Sequence, residues 1–175
     1  MALSPRRLML APILIGASIC VTACVPLGGP DAGSSSTSGV VVAVVDGDTI
    51  DVDTGAGAQR VRIIGIDTPE IGRGGNTDEC YAQEAREILD ELIYRSDVEL
   101  IADPTQADVD RCGRLLRHVR HDGHSIALTL IEAGAGYEYT YDAAYDGQEA
   151  YRAAQNAAER DGRGLWAACA TGGDR

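Results

Sequence analysis

The sequence predicts an α+β fold that is mainly β, a small five-stranded barrel with three added helices. Two observations predict this fold. Five short segments, most of them rich in β-branched residues, are bounded by turn-forming residues, and three other segments carry apolar residues at helical spacing. One helical segment follows the third strand and the other two follow the fifth. This order is typical of a closed barrel with helices packed outside it.

The predicted strands are short and lie close together at the start of the domain. Residues 40–45 form a β-branched run that ends at Asp-Gly-Asp, and residues 49–53 continue as the second strand, so Asp-Gly indicates a turn. A second turn, Thr-Gly-Ala-Gly-Ala, precedes the third strand at 60–66. The last two strands are predicted at 98–101 and 114–120. Together the five strands favour a barrel of the OB type.

The three helices are predicted from apolar spacing and from their end signals. Residues 80–94 carry alanine, isoleucine and leucine at helical spacing. Ser125 is expected to open a second helix that Gly134 stops. A third, alanine-rich helix is predicted at 148–160, and Trp166 is expected to anchor the following tail in the core.

The first residues are predicted to be a targeting segment outside the fold. Residues 1–24 carry two arginines, a short apolar run and a small-residue site, which is the pattern of an export signal. Val-Thr-Ala-Cys resembles a lipobox, in which Cys24 would be lipidated; the alternative is a plain signal with an incidental cysteine. Residues 25–39 are predicted to be a Gly/Ser-rich tether, residues 40–169 the folded domain, and residues 170–175 a tail. The protein is therefore expected to be exported, as a cell-surface lipoprotein or an extracellular protein.

Three cysteines remain once Cys20 and Cys24 are assigned to the signal and the lipid. An exported domain permits a disulfide, and three cysteines allow three pairings that leave one thiol over. We favour a bond between Cys80 and Cys169, which would join the start of the first helix to the tail, with Cys112 left free.

The charge balance restricts how the chain could bind a polyanion. The formal net charge is −12, and the 15 basic residues are all arginine. This balance argues mildly against a nucleic-acid binder, which usually carries a basic patch. At about 1 M salt, however, the Debye length is only about 3 Å, so the local field of a few arginines would decide binding.

Three short segments carry the candidate chemistry: Asp-Gly-Asp at 46–48, Arg-Ile-Ile-Gly-Ile-Asp-Thr-Pro-Glu at 62–70, and Asp-Arg-Cys-Gly-Arg at 110–114. Each has an ordinary alternative, respectively a solvated turn, a helix start and a surface charge. Taken together, their carboxylates offer the hard oxygen ligands that Ca²⁺ prefers, and their arginines offer planar donors that match phosphate oxygens.

In order and spacing, these segments resemble the staphylococcal nuclease (thermonuclease) family over about residues 40–166. The most specific features are Ile-Asp-Thr-Pro-Glu with an arginine five residues before its aspartate, and Asp-x-x-Gly-Arg further along. The resemblance implies an OB barrel with three helices. It also implies a Ca²⁺-dependent phosphodiesterase that cleaves DNA and RNA and leaves 3′-phosphates.

The resemblance assigns a metal site to four residues. Asp48 and Asp67 would be the side-chain ligands of Ca²⁺, Thr68 would contribute its carbonyl oxygen, and Asp46 would lie behind these ligands.

The resemblance also assigns three catalytic residues. Arg62 and Arg114 would grip the attacked phosphate, and Glu70 would hold the attacking water. Simple alternation along a flat strand would place Arg62 and Asp67 on opposite faces. Their convergence therefore requires a bulge or strong twist, and Gly65 is the natural place for it.

The chain departs from the family pattern at two positions. Cys112 stands where relatives usually have a tyrosine that helps to hold the nucleotide, and Thr140 aligns with a second such tyrosine. Tyr139 or Tyr141 could supply the second contact after a one-residue shift, although packing is the ordinary role of this segment.

The three histidines have an ordinary interpretation. His118, His121 and His124 lie near one turn and could form a weak metal site or a proton shuttle. We expect them instead to be exposed residues at the end of a strand and the start of a helix.

The expected partners are DNA and RNA, preferably single-stranded or frayed, and a membrane through the lipid anchor; the protein is expected to be a monomer. The alternatives are a non-catalytic OB module that binds nucleic acid or protein at the cell surface, and a structural or adhesive lipoprotein domain.

Overall fold

The computed structural model describes residues 35–170. The predicted export signal with Cys24, the tether as far as residue 34, and residues 171–175 of the tail lie outside the described residues. Among residues 35–170, no helix is long and apolar enough to span a membrane.

Eight strands and four helices form within these residues. The strands are β1 (Ser36–Asp46), β2 (Thr49–Asp53), β3 (Ala58–Ile63), β4 (Ile66–Asp67), β5 (Asp97–Ile101), β6 (Leu115–His121), β7 (His124–Ser125) and β8 (Tyr137–Glu138). The helices are α1 (Ala82–Ile93), α2 (Ile126–Ala133), α3 (Gln148–Asp161) and α4 (Leu165–Ala168).

Five of the strands close into a barrel, as predicted. β1 pairs antiparallel with both β2 and β5, β2 pairs antiparallel with β3, and β5 pairs antiparallel with β6. A parallel pairing of β3 with β6, in which Val61 faces Leu115, closes the sheet. The short strands β4 and β8 form a separate antiparallel pair beside the barrel. The α+β, mainly β, OB-type fold is confirmed.

The core is built from alternate residues of the barrel strands and from one face of each of the first two helices. The strand residues are at most 2% exposed: Val41, Ile50, Val52, Val61, Ile63, Leu100 and Val119. Leu89 and Ile93 of α1 and Leu130 and Ile131 of α2 are fully buried against them. Burying each such side chain contributes about 1.5–3 kcal/mol, so the barrel and the two helices stabilise one another.

The second helix forms through the end signals that the sequence predicts. The Ser125 hydroxyl accepts a hydrogen bond from the Leu128 amide at 3.3 Å, which satisfies an otherwise unpaired donor of the first turn. Gly134 ends the helix at φ 73°, a backbone conformation that favours glycine.

The predicted third strand is interrupted at Gly65. β3 ends at Ile63 and β4 begins at Ile66, with Gly65 at φ 87° between them. A Cβ atom at this position would lie 2.6 Å from Cε2 of Tyr151, so no larger residue fits. The bend at Gly65 is confirmed.

The boundary predicted for the tether is wrong. Ser36 to Gly39 lie in β1 and pair with β5, with Ser36 opposite Ile101. Their composition is typical of a linker, but backbone pairing with an available neighbour overrides composition. Gly39 also lets two backbones approach, because a Cβ atom there would be 2.7 Å from the Asp53 carbonyl oxygen.

Trp166 is not the core anchor of the tail. Leu165, at 2% exposed, fills that position, while Trp166 is half-buried and packs edge-on against Tyr137 with ring centroids 5.2 Å apart. The four-residue helix α4 places the smaller leucine inward and leaves the larger indole half-buried.

The disulfide between Cys80 and Cys169 is present, and Cys112 is a free, exposed thiol. The bond joins the residues before α1 to the residue that ends α4, across a sequence separation of 89. It therefore restricts the unfolded chain over most of the domain.

Replacing Cys80 and Cys169 together with serine is expected to lower the free energy of unfolding by about 2–4 kcal/mol, because the unfolded chain regains the freedom of a long loop. Urea denaturation under non-reducing conditions measures the change. Cys112→Ser is the matched control and should leave the midpoint unchanged. Equal stability of the double variant and the wild type would contradict this prediction.

His118 is not exposed, contrary to expectation. Its side chain is 12% exposed, and its Nε2 lies 2.9 Å from Oδ2 of Asp103. The loop after β5 covers this part of β6, because the two strands are neighbours in the barrel. His124 is exposed as expected, and the side chain of His121 is 28% exposed.

Asp103 joins this loop to the segment before α3. Besides His118, it accepts hydrogen bonds from the Thr105 amide at 2.8 Å, the Thr105 hydroxyl at 2.7 Å and the Asp146 amide at 2.9 Å. Burial alone would raise the pKa of Asp103, but these donors outweigh it and lower the pKa to about 2.

Asp103→Asn is expected to lower the free energy of unfolding at neutral pH by about 1–3 kcal/mol, because the amide nitrogen would face donors on either side. The stability that Asp103 contributes is present above its unfolded pKa near 3.8 and is lost as the pH falls towards about 2. The variant should therefore lose less stability than the wild type over that range. Urea midpoints from pH 2 to 7 measure both effects.

The matched control is Asp108→Asn, which removes a carboxylate that is 69% exposed and paired with Arg117. A surface pair of this kind contributes at most about 1 kcal/mol. If the urea midpoints of both variants fell with pH in the same way as those of the wild type, the role given to Asp103 would be wrong.

Candidate active site

The Asp-Gly-Asp turn between β1 and β2 is buried, not solvated. Asp46 and Asp48 are 5% and 2% exposed. Gly47 packs against Thr68, where a Cβ atom would lie 2.7 Å from the threonine hydroxyl. The Thr68 amide donates to Oδ2 of Asp48 at 3.0 Å, and the Thr49 hydroxyl donates to Oδ1 at 3.0 Å. The turn and the segment after β4 are thus held together.

Arg62 contacts both predicted metal ligands. Its Nη2 lies 3.0 Å from Oδ2 of Asp48 and 2.7 Å from Oδ1 of Asp67. Its Nη1 donates to the Ile66 carbonyl at 2.6 Å. The bend at Gly65 folds β4 back towards β3, so Arg62 and Asp67 converge as predicted.

Arg114 approaches the same site from the loop that directly precedes β6. Its Nε donates to Oδ2 of Asp110 at 2.7 Å, and its Nη1 lies 3.5 Å from the Thr49 hydroxyl, next to Asp48. Burial alone would raise the pKa of Asp110, but hydrogen bonds from the amide and side chain of Arg114 hold it below its usual range. Asp110 therefore stays charged and orients the guanidinium.

Burial raises the pKa of two carboxyl groups of the site, Asp48 and Glu70. Burial raises the pKa of Asp48 to about 7, and the nearby charge of Asp46 adds to the effect, while Arg62 opposes it. The pKa of Glu70 is raised by desolvation and then by Asp46. Such shifts are common at functional sites, because a charge-binding site holds like charges together.

An open cleft of about 390 Å³ lies in front of these groups. It is lined among others by Arg62, Asp67, Glu70, Arg114, Tyr139 and Tyr141. The two tyrosines are 42% and 70% exposed, with ring centroids 6.4 Å apart. They form one wall of the cleft and are not core residues. The side chain of Thr140 instead donates to Glu138 at 2.5 Å.

Two contacts of the site are not predicted by the sequence. Arg73 contacts Asp46, with Nη2 3.2 Å from Oδ2. Glu79 accepts a hydrogen bond from the Glu70 amide at 2.9 Å and so fixes the backbone of the predicted catalytic residue. Neither residue belongs to a recognisable motif, and both lie in or after a glycine-rich loop whose path the sequence does not specify.

The donor chemistry fits a hard cation such as Ca²⁺. Asp48 and Asp67 contact the same nitrogen of Arg62, so their oxygens lie on one side of the site. Across residues 35–170, no three His, Cys, Asp or Glu side chains converge as ligands. A Ca²⁺ ion, which takes six to eight oxygens, would therefore need backbone and water oxygens as well. The carbonyl of Thr68 is the candidate of this kind.

Several known proteins are similar in sequence to this chain. A family model described as "Staphylococcal nuclease homologue" matches residues 60–168. A protein named "Micrococcal nuclease" from Shigella flexneri is 32% identical over 137 residues, covering 73% of this chain and 72% of its own. A "Thermonuclease" from Staphylococcus hyicus is 31% identical over 126 residues, covering 72% and 73%. An "Uncharacterized endonuclease" from Escherichia coli is 32% identical over 129 residues, covering 73% and 76%.

The fold and the site define the class as a nuclease-type OB barrel, in which arginines and carboxylates face a common cleft. The family match runs from within β3 to the end of α4, so it includes Arg62, Glu70 and Arg114. The chain belongs to the staphylococcal nuclease family.

Proposed function

We propose that the protein is a Ca²⁺-dependent nuclease that hydrolyses phosphodiesters of DNA and RNA and leaves 3′-phosphates. One observation carries this proposal: Arg62 contacts both candidate calcium ligands at the edge of a cleft that Arg114 and Glu70 also line. Nuclease names among the relatives support it.

The charges of the site suit attack on a phosphate. Arg62 and Arg114 would donate to the phosphate oxygens, where negative charge grows as water adds to phosphorus. A bound Ca²⁺ would supply further positive charge at the same phosphate. Glu70, with its raised pKa, would hold the attacking water. The new bond joins the water oxygen to phosphorus, and the bond from phosphorus to the 5′ oxygen breaks. A proton lost by the water ends on the 5′ oxygen, which leaves as a hydroxyl, and the phosphate stays on the 3′ side.

Exposed aromatic rings favour unpaired strands as substrates. Tyr139 and Tyr141 stand in the cleft wall and could stack on bases that a duplex would hide. The proposed substrates are therefore single-stranded or frayed DNA and RNA.

The test is incubation of the purified protein with denatured DNA and with RNA, with Ca²⁺ or with a chelator. We expect cleavage with Ca²⁺ alone, and products that a polymerase extends only after phosphatase treatment. Arg114→Ala, purified in parallel, controls for contaminating nucleases. Binding of DNA without cleavage at any Ca²⁺ or salt concentration would favour the non-catalytic OB module.

We also propose that the protein acts as a monomer outside the cytoplasm, anchored to a membrane through Cys24. The arginines, apolar run and lipobox-like Val-Thr-Ala-Cys of residues 1–24 support this proposal. Cys24→Ser should move the protein from the membrane fraction to the medium or periplasm. An unchanged fractionation would contradict lipid anchoring.

A further inference from the structure

An arginine from the glycine-rich loop after β4 reaches back to the proposed calcium site. The side chain of Arg73 is 62% exposed, yet its Nη2 lies 3.2 Å from Oδ2 of Asp46, whose side chain is 7% exposed. The base of the loop is fixed, because the Gly72 amide donates to Asp78 at 2.9 Å. The backbone next to Arg73 is therefore anchored while its guanidinium contacts Asp46.

Asp46 is the site carboxylate with which Arg73 forms an ion pair. The other nearby guanidinium, that of Arg62, contacts Asp48 and Asp67. The Asp48 amide lies 3.5 Å from Oδ1 of Asp46, so the charge of Asp46 sits directly beside the candidate ligand. Whatever neutralises Asp46 lowers the negative potential that would attract a cation.

We propose that Arg73 sets the calcium affinity of this site by competing with the ion for the negative charge of Asp46. This inference rests on the calcium dependence proposed above. A unit positive charge within about 10 Å of a doubly charged ion repels it enough to weaken binding about 3- to 10-fold, even at the dielectric constant of water. Arg73 thus raises the Ca²⁺ concentration that the enzyme needs.

The consequence is a nuclease that reaches full activity only where the Ca²⁺ concentration is high. At low Ca²⁺, Arg73 keeps Asp46 neutralised and the site binds the ion weakly. Where Ca²⁺ is abundant, the penalty is overcome by mass action and Arg73 has little effect on the rate.

The test is calorimetric titration of the purified full-length protein with CaCl₂ alone, without nucleic acid. Arg73→Gln is expected to bind Ca²⁺ about 3- to 10-fold more tightly than the wild type, and Arg73→Lys to bind about as the wild type does. The gain should shrink at about 1 M salt, where screening is strong. The control Arg86→Gln changes the net charge by the same amount. Because Arg86 pairs with Asp90 on α1, this variant should leave the Ca²⁺ affinity unchanged.

The outcomes separate this inference from the proposed function. Absence of Ca²⁺ binding and of Ca²⁺-dependent cleavage in the wild type would overturn both. Normal binding by the wild type with equal or weaker binding by Arg73→Gln would overturn only the role of Arg73. A raised KM for DNA at saturating Ca²⁺, with unchanged Ca²⁺ affinity, would also overturn it and make Arg73 a phosphate contact. Thermal midpoints of all variants verify folding.

Discussion

Replacing Arg62 with lysine is expected to lower kcat for DNA cleavage by about 10²–10³, the usual cost of losing one donor to a charge that develops in the transition state. Lysine keeps the positive charge but loses the planar fork that spans two oxygens. In the structure, that fork contacts Asp48, Asp67 and the Ile66 carbonyl at the same time. Lysine cannot reproduce this set of contacts, so the charge would be misplaced relative to the phosphate.

The matched control is Arg60→Lys, two residues earlier on β3. Arg60 is paired with Asp51 on the exposed side of the sheet, with Nε 2.8 Å from Oδ1. Its variant should turn over DNA at the wild-type rate. Single-turnover kinetics at saturating Ca²⁺ measure both. Arg114→Ala should lose activity by a similar factor to Arg62→Lys, and near-normal turnover in both would contradict the catalytic assignment.

Replacing Asp48 with asparagine is expected to lower kcat by about 10³ or more, since a catalytic metal contributes several kcal/mol and each 1.36 kcal/mol is tenfold in rate. The same variant should not destabilise the metal-free protein at neutral pH. Burial raises the pKa of Asp48 from 3.8 to about 7, so the neutral form is the one that the fold favours. Asparagine resembles that neutral form and should retain the fold.

The sign of the pH dependence follows from the raised pKa. Between about pH 4 and 7, the folded wild type holds a proton on Asp48 that the unfolded chain has lost. The metal-free wild type therefore loses stability as the pH rises through this range, and Asp48→Asn should not show this loss. Urea midpoints in chelator at pH 4 and 8 measure the difference.

Calcium should restore the lost stability of the wild type but not act on Asp48→Asn. Thermal midpoints with and without Ca²⁺ test this, and Asp51→Asn, at an exposed pair with Arg60, is the control that should keep the calcium response. An equal calcium-induced rise in Asp48→Asn would show that Asp48 is not a ligand.

Much of the fold and site could be predicted because the signals are local. Runs of β-branched residues, Asp-Gly pairs and glycines at helix ends reflect the backbone preferences of the residues themselves. These signals predict all five barrel strands and three helices to within a few residues, apart from the start of β1. Arg62 and Asp67 could be expected to converge because Gly65 allows the bend between them.

The remaining features depend on contacts that are distant in sequence. Ser36 to Gly39 form a strand because β5 offers a partner, and His118 is covered because Asp103 lies above it. The contact between Arg73 and Asp46 depends on the path of a glycine-rich loop. The residue pattern of one segment does not indicate which distant segment lies beside it in the fold.

The parallel pairing of β3 with β6 is expected to slow the folding of the active site. It brings together Arg62, which faces Leu116 across the pairing, and Arg114, which directly precedes β6. Because this pairing joins strands far apart in the chain, its loop-closure entropy makes it slow to form. After dilution from denaturant, DNA hydrolysis should therefore recover only as β3 pairs with β6. This recovery should be slower than the return of the helical circular dichroism signal.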